Sequence, residues 1–281
     1  MMAAHRALLS GPACASGKPG GRDGSYRPQT GPFSLIPMAI PRFFCPEPLQ
    51  AHAATVLPEH IAHHAVRVLR LKPGAPIVLF DGRGGQYPAL LRMEGRLALA
   101  DVGEYEFTDT ELAGRITLVQ GIASGDKMDW IAEKAVELGA VAIQPIAARR
   151  SVLQLSGDRL EKRLTHWRRV AQAAAEQSGR NRLMAVNPPL PLQSWLESAA
   201  PDPASTLLCD PEAGQPLAEA LKNVKSELAL LIGPEGGWSD EELALAAHHR
   251  LSRLRFGNRV LRTETAGLAL IAASTALLGW A

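Results

Sequence analysis

Two turns near the carboxyl end hold residue types that can grip a small ligand. The first is Leu230-Leu-Ile-Gly-Pro-Glu-Gly-Gly-Trp238. An apolar strand runs into a glycine-rich loop, and Ser239 with Glu242 then makes the capping box of a helix. Gly233, Gly236 and Gly237 let backbone approach a ligand closely, because no Cβ intervenes. No Gly-Lys-Ser/Thr follows, so this is not a P-loop, and the spacing is not that of a GxGxxG dinucleotide loop. Taken alone, the run is equally a structural strand-to-helix turn. The second is Phe256-Gly-Asn-Arg-Val-Leu-Arg-Thr-Glu-Thr-Ala266. Here a strand again ends in glycine and a loop leads into a helix. Thr263 can cap that helix and Glu264 suits its positive end. The small residues Gly267, Ala269, Ala272, Ala273 and Ala276 permit tight packing, so a capped, buried helix is expected whatever the function. Burial does not account for Arg259 and Arg262 in a loop beside an acid. Cations so placed can stabilise an anion developing on a substrate.

A third run, Ala174-Ala-Glu-Gln-Ser-Gly-Arg-Asn-Arg182, closes a basic helix that carries Arg159, Lys162, Arg163, Arg168 and Arg169. Such a helix suits phosphate. It is also what a solvated amphipathic helix looks like, with cations near the end that the dipole favours.

The elements that must position these runs differ along the chain. From Ile40 to about Phe107 the pattern is short and β-like. Ile77 to Phe80, Tyr87 to Met93 and Arg96 to Val102 are separated by turn signals, which predicts hairpins in a small barrel. A helix is expected over His60 to Leu71, with Ile61, Ala65, Val66 and Leu69 on one face and Arg67 and Arg70 outward. Residues 108–114 are polar and form a linker. Beyond them strands alternate with helices. Ile116 to Gln120 is a strand, and a helix capped by Asp126 and stopped by Gly139 follows. Then come the strand Val141 to Ile146, a helix from about Asp158 to Gln177, and short strands at Thr206 to Cys209, Leu228 to Ile232 and Leu254 to Phe256. That alternation argues for a parallel α/β sheet, whose ligands bind beyond the carboxyl ends of its strands.

Composition sets limits. The 281 residues suffice for one large or two modest domains, and the net charge of +2 means any basic surface is local. Cys14, Cys45 and Cys209 are far apart and form no CxxC, so neither a zinc site nor a disulfide framework is expected, and a reducing compartment fits. No metal and no membrane partner are expected. The apolar stretch from Ala266 to Ala281 is too short for a span. Residues 1–37 are rich in Gly, Pro, Arg and Ser and are expected to be a disordered extension, with Met38 the natural start.

In this order, the three runs resemble the ribosomal RNA small subunit methyltransferase E family, the uridine-N3 methyltransferases of the SPOUT class. The resemblance runs from about Pro41 to the carboxyl end. It takes in Pro41-Arg-Phe-Phe, Pro46-Glu-Pro-Leu, Val68-Leu-Arg-Leu, Phe80-Asp-Gly82 and Lys134-Ala-Val-Glu-Leu-Gly139. Glu176-Gln-Ser-Gly-Arg-Asn-Arg182, Gly233-Pro-Glu-Gly-Gly237 and Arg259-Val-Leu-Arg-Thr-Glu-Thr265 complete it. Asn258 stands where the family often has proline.

The resemblance implies an α/β fold: a trefoil-knotted SPOUT methyltransferase domain over residues 111–281, preceded by a small PUA-like β-barrel over 38–110. It implies S-adenosylmethionine as cofactor, 16S rRNA or the small ribosomal subunit as partner, a homodimer and a cytoplasmic location. It assigns the cofactor to Leu231, Ile232, Gly233, Glu235, Gly237, Phe256, Gly257, Asn258, Val260, Leu261, Arg262 and Thr265. Arg262, Arg180 and Arg182 become candidates for stabilising the uracil anion or binding phosphate. Glu176, Glu235 and Glu264 become candidate carboxylates. Arg42, Arg67, Arg70, Arg168 and Arg169 become candidate RNA contacts. Methylation of a ribose 2′-oxygen or another base, and a non-catalytic RNA-binding assembly module, remain the alternatives.

Overall fold

The computed structural model describes residues 40–153 and 156–281; the expected extension over residues 1–37 and the Met38 start lie outside them. Strands β1 (Arg42–Phe44), β2 (Ala54–Val56), β3 (Pro76–Phe80), β4 (Tyr87–Glu94) and β5 (Leu97–Val102) form one sheet in the order β1-β3-β4-β5-β2. Only the β1–β3 ladder is parallel. Side chains alternate across a strand. Ile77 and Leu79 therefore join Phe43, Leu91 and Ala100 in one core, while Phe80 turns to the other face and enters the core of the following α/β region. The expected hairpins are present. β1 and β2, three residues each, are too short to show a period in sequence.

The expected helix over His60 to Leu71 is shorter and differently wound. α1 (Glu59–His63) continues as a π-helical turn over His64–Val68. The Leu69 amide donates back five residues to the His64 carbonyl, at 2.9 Å. That extra residue per turn shifts the phase of the helix. Leu69, expected on the buried face, is consequently 42% exposed, while Ile61 and Ala65 are buried. Arg67 and Arg70 are exposed as expected.

The second sheet has seven strands, all parallel: β6 (Arg115–Gly121), β7 (Ala142–Ile146), β8 (Ala185–Val186), β9 (Thr206–Cys209), β10 (Gln215–Pro216), β11 (Glu227–Ile232) and β12 (Ser252–Arg255). Their order is β10-β12-β9-β11-β6-β7-β8. Helices α2 (Lys127–Glu137), α3 (Gly157–Ser178), α5 (Leu217–Ala220) and α7 (Thr263–Leu278) contribute to the core on one face; α4 (Leu192–Ala199) and α6 (Asp240–His248) contribute to the other. Neighbours Leu230 and Leu231 enter opposite cores and are both fully buried. A strand covered on both sides reads as an unbroken apolar run, as this one does. Two expected caps differ. Asp126 makes no side-chain cap; its carbonyl accepts the amides of Asp129 and Trp130. Thr263 lies just inside α7 and is committed elsewhere. The Ser239–Glu242 capping box forms as read. Among the described residues no helix is long and apolar enough to cross a membrane, and no cluster of His, Cys, Asp and Glu could hold a metal.

The run Glu176–Arg182 wires the two sheets together. Glu176 Oε1 accepts the Phe44 amide at 3.0 Å and Gln172 Nε2 at 3.1 Å. Half-buried Arg42 donates to Gln86 Oε1 at 2.6 Å, to the Gly179 carbonyl at 3.3 Å and to Asn181 Oδ1. Asn181 Nδ2 reaches the Thr108 carbonyl. Arg180 is buried; it forms a two-pronged ion pair with Glu111 and donates to the Val136 and Ala140 carbonyls at 3.0 and 2.8 Å. The polar linker over 108–114 is thus pinned through Thr108 and Glu111. Removing one member of a buried pair leaves the other charge uncompensated. Arg180→Met is therefore expected to destabilise the fold by about 3–5 kcal/mol in urea unfolding; an unchanged midpoint would show that Glu111 does not depend on it.

Candidate active site

β9, β11 and β12 are neighbours in the sheet, and their carboxyl ends open onto one cavity of about 740 Å³. Three loops wall it: Cys209 to Glu212 after β9, Ile232 to Trp238 after β11, and Phe256 to Thr263 after β12. Such a volume suits a cofactor-sized ligand. Its lining mixes apolar Ile232, Phe256 and Leu261 with carboxylates and guanidinium groups.

One hydroxyl joins the two glycine-rich turns. Thr263 Oγ1 donates to the Gly233 carbonyl at 2.7 Å and accepts from Gln120 Nε2 at 2.8 Å. Gln120 is fully buried and also donates to the Gly121 carbonyl. Gly121 has a steric reason to be glycine: a Cβ there would stand 2.5 Å from the Pro234 nitrogen. Gly237 turns the loop at φ +68°, a conformation other residues resist. The third wall is fixed by Asp210, which holds Arg253 of β12 through a two-pronged pair and accepts the Glu212 amide at 3.0 Å. Burial pushes the Cys209 thiol up to about 11, so it lines the cavity as a neutral group.

The charges sort by their partners. Burial opposes ionisation of Glu235, but Lys127 Nζ at 2.8 Å and the Ser124 hydroxyl and amide at 2.7 and 2.9 Å outweigh it. They hold its carboxyl at about 2. Because this pKa is depressed, the interaction is fully present above the ordinary value of 4.5 and is lost as pH falls from there through about 2. Glu264 lies on the far side of the same lysine, at 4.0 Å. By contrast, Arg255, Arg259 and Arg262 all line the cavity, and no hydrogen bond or ion pair engages their guanidinium groups among the described residues.

The structure brings most of the expected cofactor residues together: Ile232, Gly233, Glu235, Gly237, Phe256, Gly257, Asn258, Val260, Leu261 and Arg262. Leu231 is not among the lining residues, because alternation sends its side chain into the core packed by α4 and α6. Thr265 is also outside, exposed on the first turn of α7. The expected catalytic set is dispersed. Arg180 and Glu176 are committed to the junction described above, and neither lines the cavity. Arg182 is exposed with its guanidinium against Gly84, in the turn between β3 and β4. Arg42, expected on RNA, is engaged inside the same junction. Arg168 and Arg169 are exposed on α3, where Arg168 Nε donates to the Val186 carbonyl at 3.3 Å. Unforeseen were Asp210, Glu212 and Gln120. Asp210 and Glu212 follow a strand that β11 and β12 flank, which the carboxyl-end rule could have flagged once strand order was known.

The RNA methyltransferase domain family matches residues 110–275, and the RNA methyltransferase PUA domain matches residues 57–98. The chain is 34% identical over 219 residues to ribosomal RNA small subunit methyltransferase E of Synechocystis, covering 77% of this chain and 71% of that one. The protein of the same name from Bacillus subtilis is 31% identical, with 75% and 85% covered. Among solved structures, ribosomal RNA small subunit methyltransferase E from Neisseria gonorrhoeae, bound to S-adenosyl methionine, superposes with TM-score 0.78 at 37% identity, covering 85% of this chain and 98% of its own. A Legionella pneumophila methyltransferase in complex with the same cofactor gives TM-score 0.78 at 27% identity, with 84% and 97% covered.

Thr263→Val removes the hydroxyl and strands the Gly233 carbonyl and Gln120 amide. Stability is expected to fall by about 1–3 kcal/mol in denaturant unfolding, with Thr263→Ser close to the parent. Equal stability of the valine variant would show that the bridge is dispensable.

Proposed function

The chain belongs to the ribosomal RNA small subunit methyltransferase E family, and from that membership we propose that it methylates N3 of a uridine in 16S ribosomal RNA, with S-adenosylmethionine as donor. The observation that carries this is the cavity between the two glycine-rich turns, which joins cofactor size to a rim of unengaged arginines. The residues fit the donor. Ile232, Phe256 and Leu261 offer apolar surface to a flat base, Gly233, Gly237 and Gly257 offer backbone, and Glu212 offers a carboxylate to a cationic group. When bound, S-adenosylmethionine supplies an electrophilic methyl carbon, so neither metal nor covalent nucleophile is required of the protein.

The chain's own residues then have two tasks. They must hold the uracil ring nitrogen in line with the methyl group, and they must favour loss of its proton. Arg262, at the entrance of α7, is assigned the role of stabilising negative charge on the uracil carbonyls. Arg255 and Arg259 are assigned to the same rim, for phosphate. Glu235 and Glu264 are given no proton-transfer role, since both face Lys127. A splayed-out nucleotide is required for its N3 to reach the site. Arg67 and Arg70 on the first domain, and Arg168, Arg169 and Arg182 on the second, are assigned to the RNA backbone. The working division is a PUA-like domain over 38–110 and a methyltransferase domain over 111–281. In it the carboxyl-terminal segment threads a trefoil knot. Two copies are taken to pair across exposed apolar surface on α2 and α7, where Trp130 and Leu277 are 51% and 58% exposed. A cytoplasmic location follows from the substrate.

Small subunits from a strain lacking this gene, incubated with protein and donor, are expected to yield 3-methyluridine by nucleoside mass spectrometry. A ribose-methylated product would replace the base assignment. Arg262→Ala is expected to lower turnover about 100-fold or more, with donor affinity within about threefold of the parent by calorimetry; unchanged turnover would remove its assigned role.

A further inference from the structure

Lys127 occupies the first position of α2, where a helix dipole disfavours a cation. It does not line the cavity, yet its ammonium pairs with two carboxylates, one in the glycine-rich turn that lines the cavity and one in the first turn of α7. Nζ is 2.8 Å from Glu235 Oε1, in the middle of the first turn, and 4.0 Å from Glu264 Oε2, in the first turn of α7. Glu264 Oε2 is buried and makes no hydrogen bond among the described residues. The Ser124 hydroxyl and amide complete the grip on Glu235 Oε1 from the loop that leads into α2. The loop after β6 thus grips Glu235 through Ser124, while the Lys127 ammonium joins the loop after β11 to the start of α7. Thr263, next to Glu264, makes the neutral bridge between the same two turns.

We propose that Lys127 is a positioning residue that holds the Glu235 turn and the first turn of α7 at a fixed separation, so that the donor cavity is formed before the donor enters. Without the ammonium, two carboxylates on facing segments would repel across the gap. The turns would then separate, and ligand binding would have to draw them back together. Preorganisation of this kind acts on affinity, because ordering that precedes binding does not oppose it. The proposal rests on the assignment of the cavity to S-adenosylmethionine.

Calorimetric titration of the full chain with S-adenosylmethionine tests it. Lys127→Met is expected to bind about tenfold more weakly than the parent, and Lys127→Arg, which keeps the charge, within about threefold. Glu264→Gln in the Lys127→Met background is expected to cause no further loss and to recover part of the affinity, since the repulsion is gone. A purely structural lysine would give no such recovery. Parental affinity in Lys127→Met, or losses that multiply in the double variant, would overturn the role of Lys127 while leaving the cavity assignment standing. Failure of the parent protein itself to bind would overturn both.

Discussion

The Thr263 hydroxyl closes the distance between two loops that are thirty residues apart in sequence. It donates to the Gly233 carbonyl while accepting from the buried Gln120 amide. Thr263 and Gln120 are both buried, and the bond between them lies inside the fold while the bond to Gly233 borders the cavity. A buried carbonyl or amide left without a partner is costly, so each member makes the others obligatory. The cavity exists because this arrangement holds the glycine-rich turn and the start of α7 against the end of β6. Gly121 belongs to the same constraint, since a side chain there would strike the Pro234 backbone.

Charge at the site divides by whether a partner is already present. Arg180 donates to two carbonyls and a carboxylate, and Arg42 to a carbonyl and two amide oxygens, all within the chain. A guanidinium so engaged holds domains together, and its planar fork suits that task. Arg255, Arg259 and Arg262 line the cavity and have no such partners among the described residues. The two classes look alike in sequence, since Arg180 and Arg262 are each loop arginines within four residues of an acid.

The motif from Glu176 to Arg182 illustrates the difference. Its polar, basic composition suits phosphate, and the family resemblance makes Glu176, Arg180 and Arg182 catalytic candidates. Folding instead directs Glu176 to the Phe44 amide, Arg180 to Glu111, and Asn181 to Arg42 and Thr108. The motif ties the first sheet to the second. A residue period could not have shown this, because the partners lie 69 to 139 positions away.

Sequence by itself determined the local structure with good fidelity. The apolar run of Ile77 to Phe80, the capping box at Ser239 and the unbroken apolar run of Leu228 to Ile232 each follow from forces acting within a few residues. It also marked two of the three loops that wall the cavity, because burial does not account for loop arginines beside an acid. Tertiary structure decided the rest. Strand order brought β9 between β11 and β12 and so added Asp210 and Glu212 to the site. Alternation across a strand buried on both faces turned Leu231 away from it. A single π-turn rotated Leu69 outward. Each of these depends on which segments meet in space, and hydrogen bonds and ion pairs between distant segments are decided only when the chain has closed on itself.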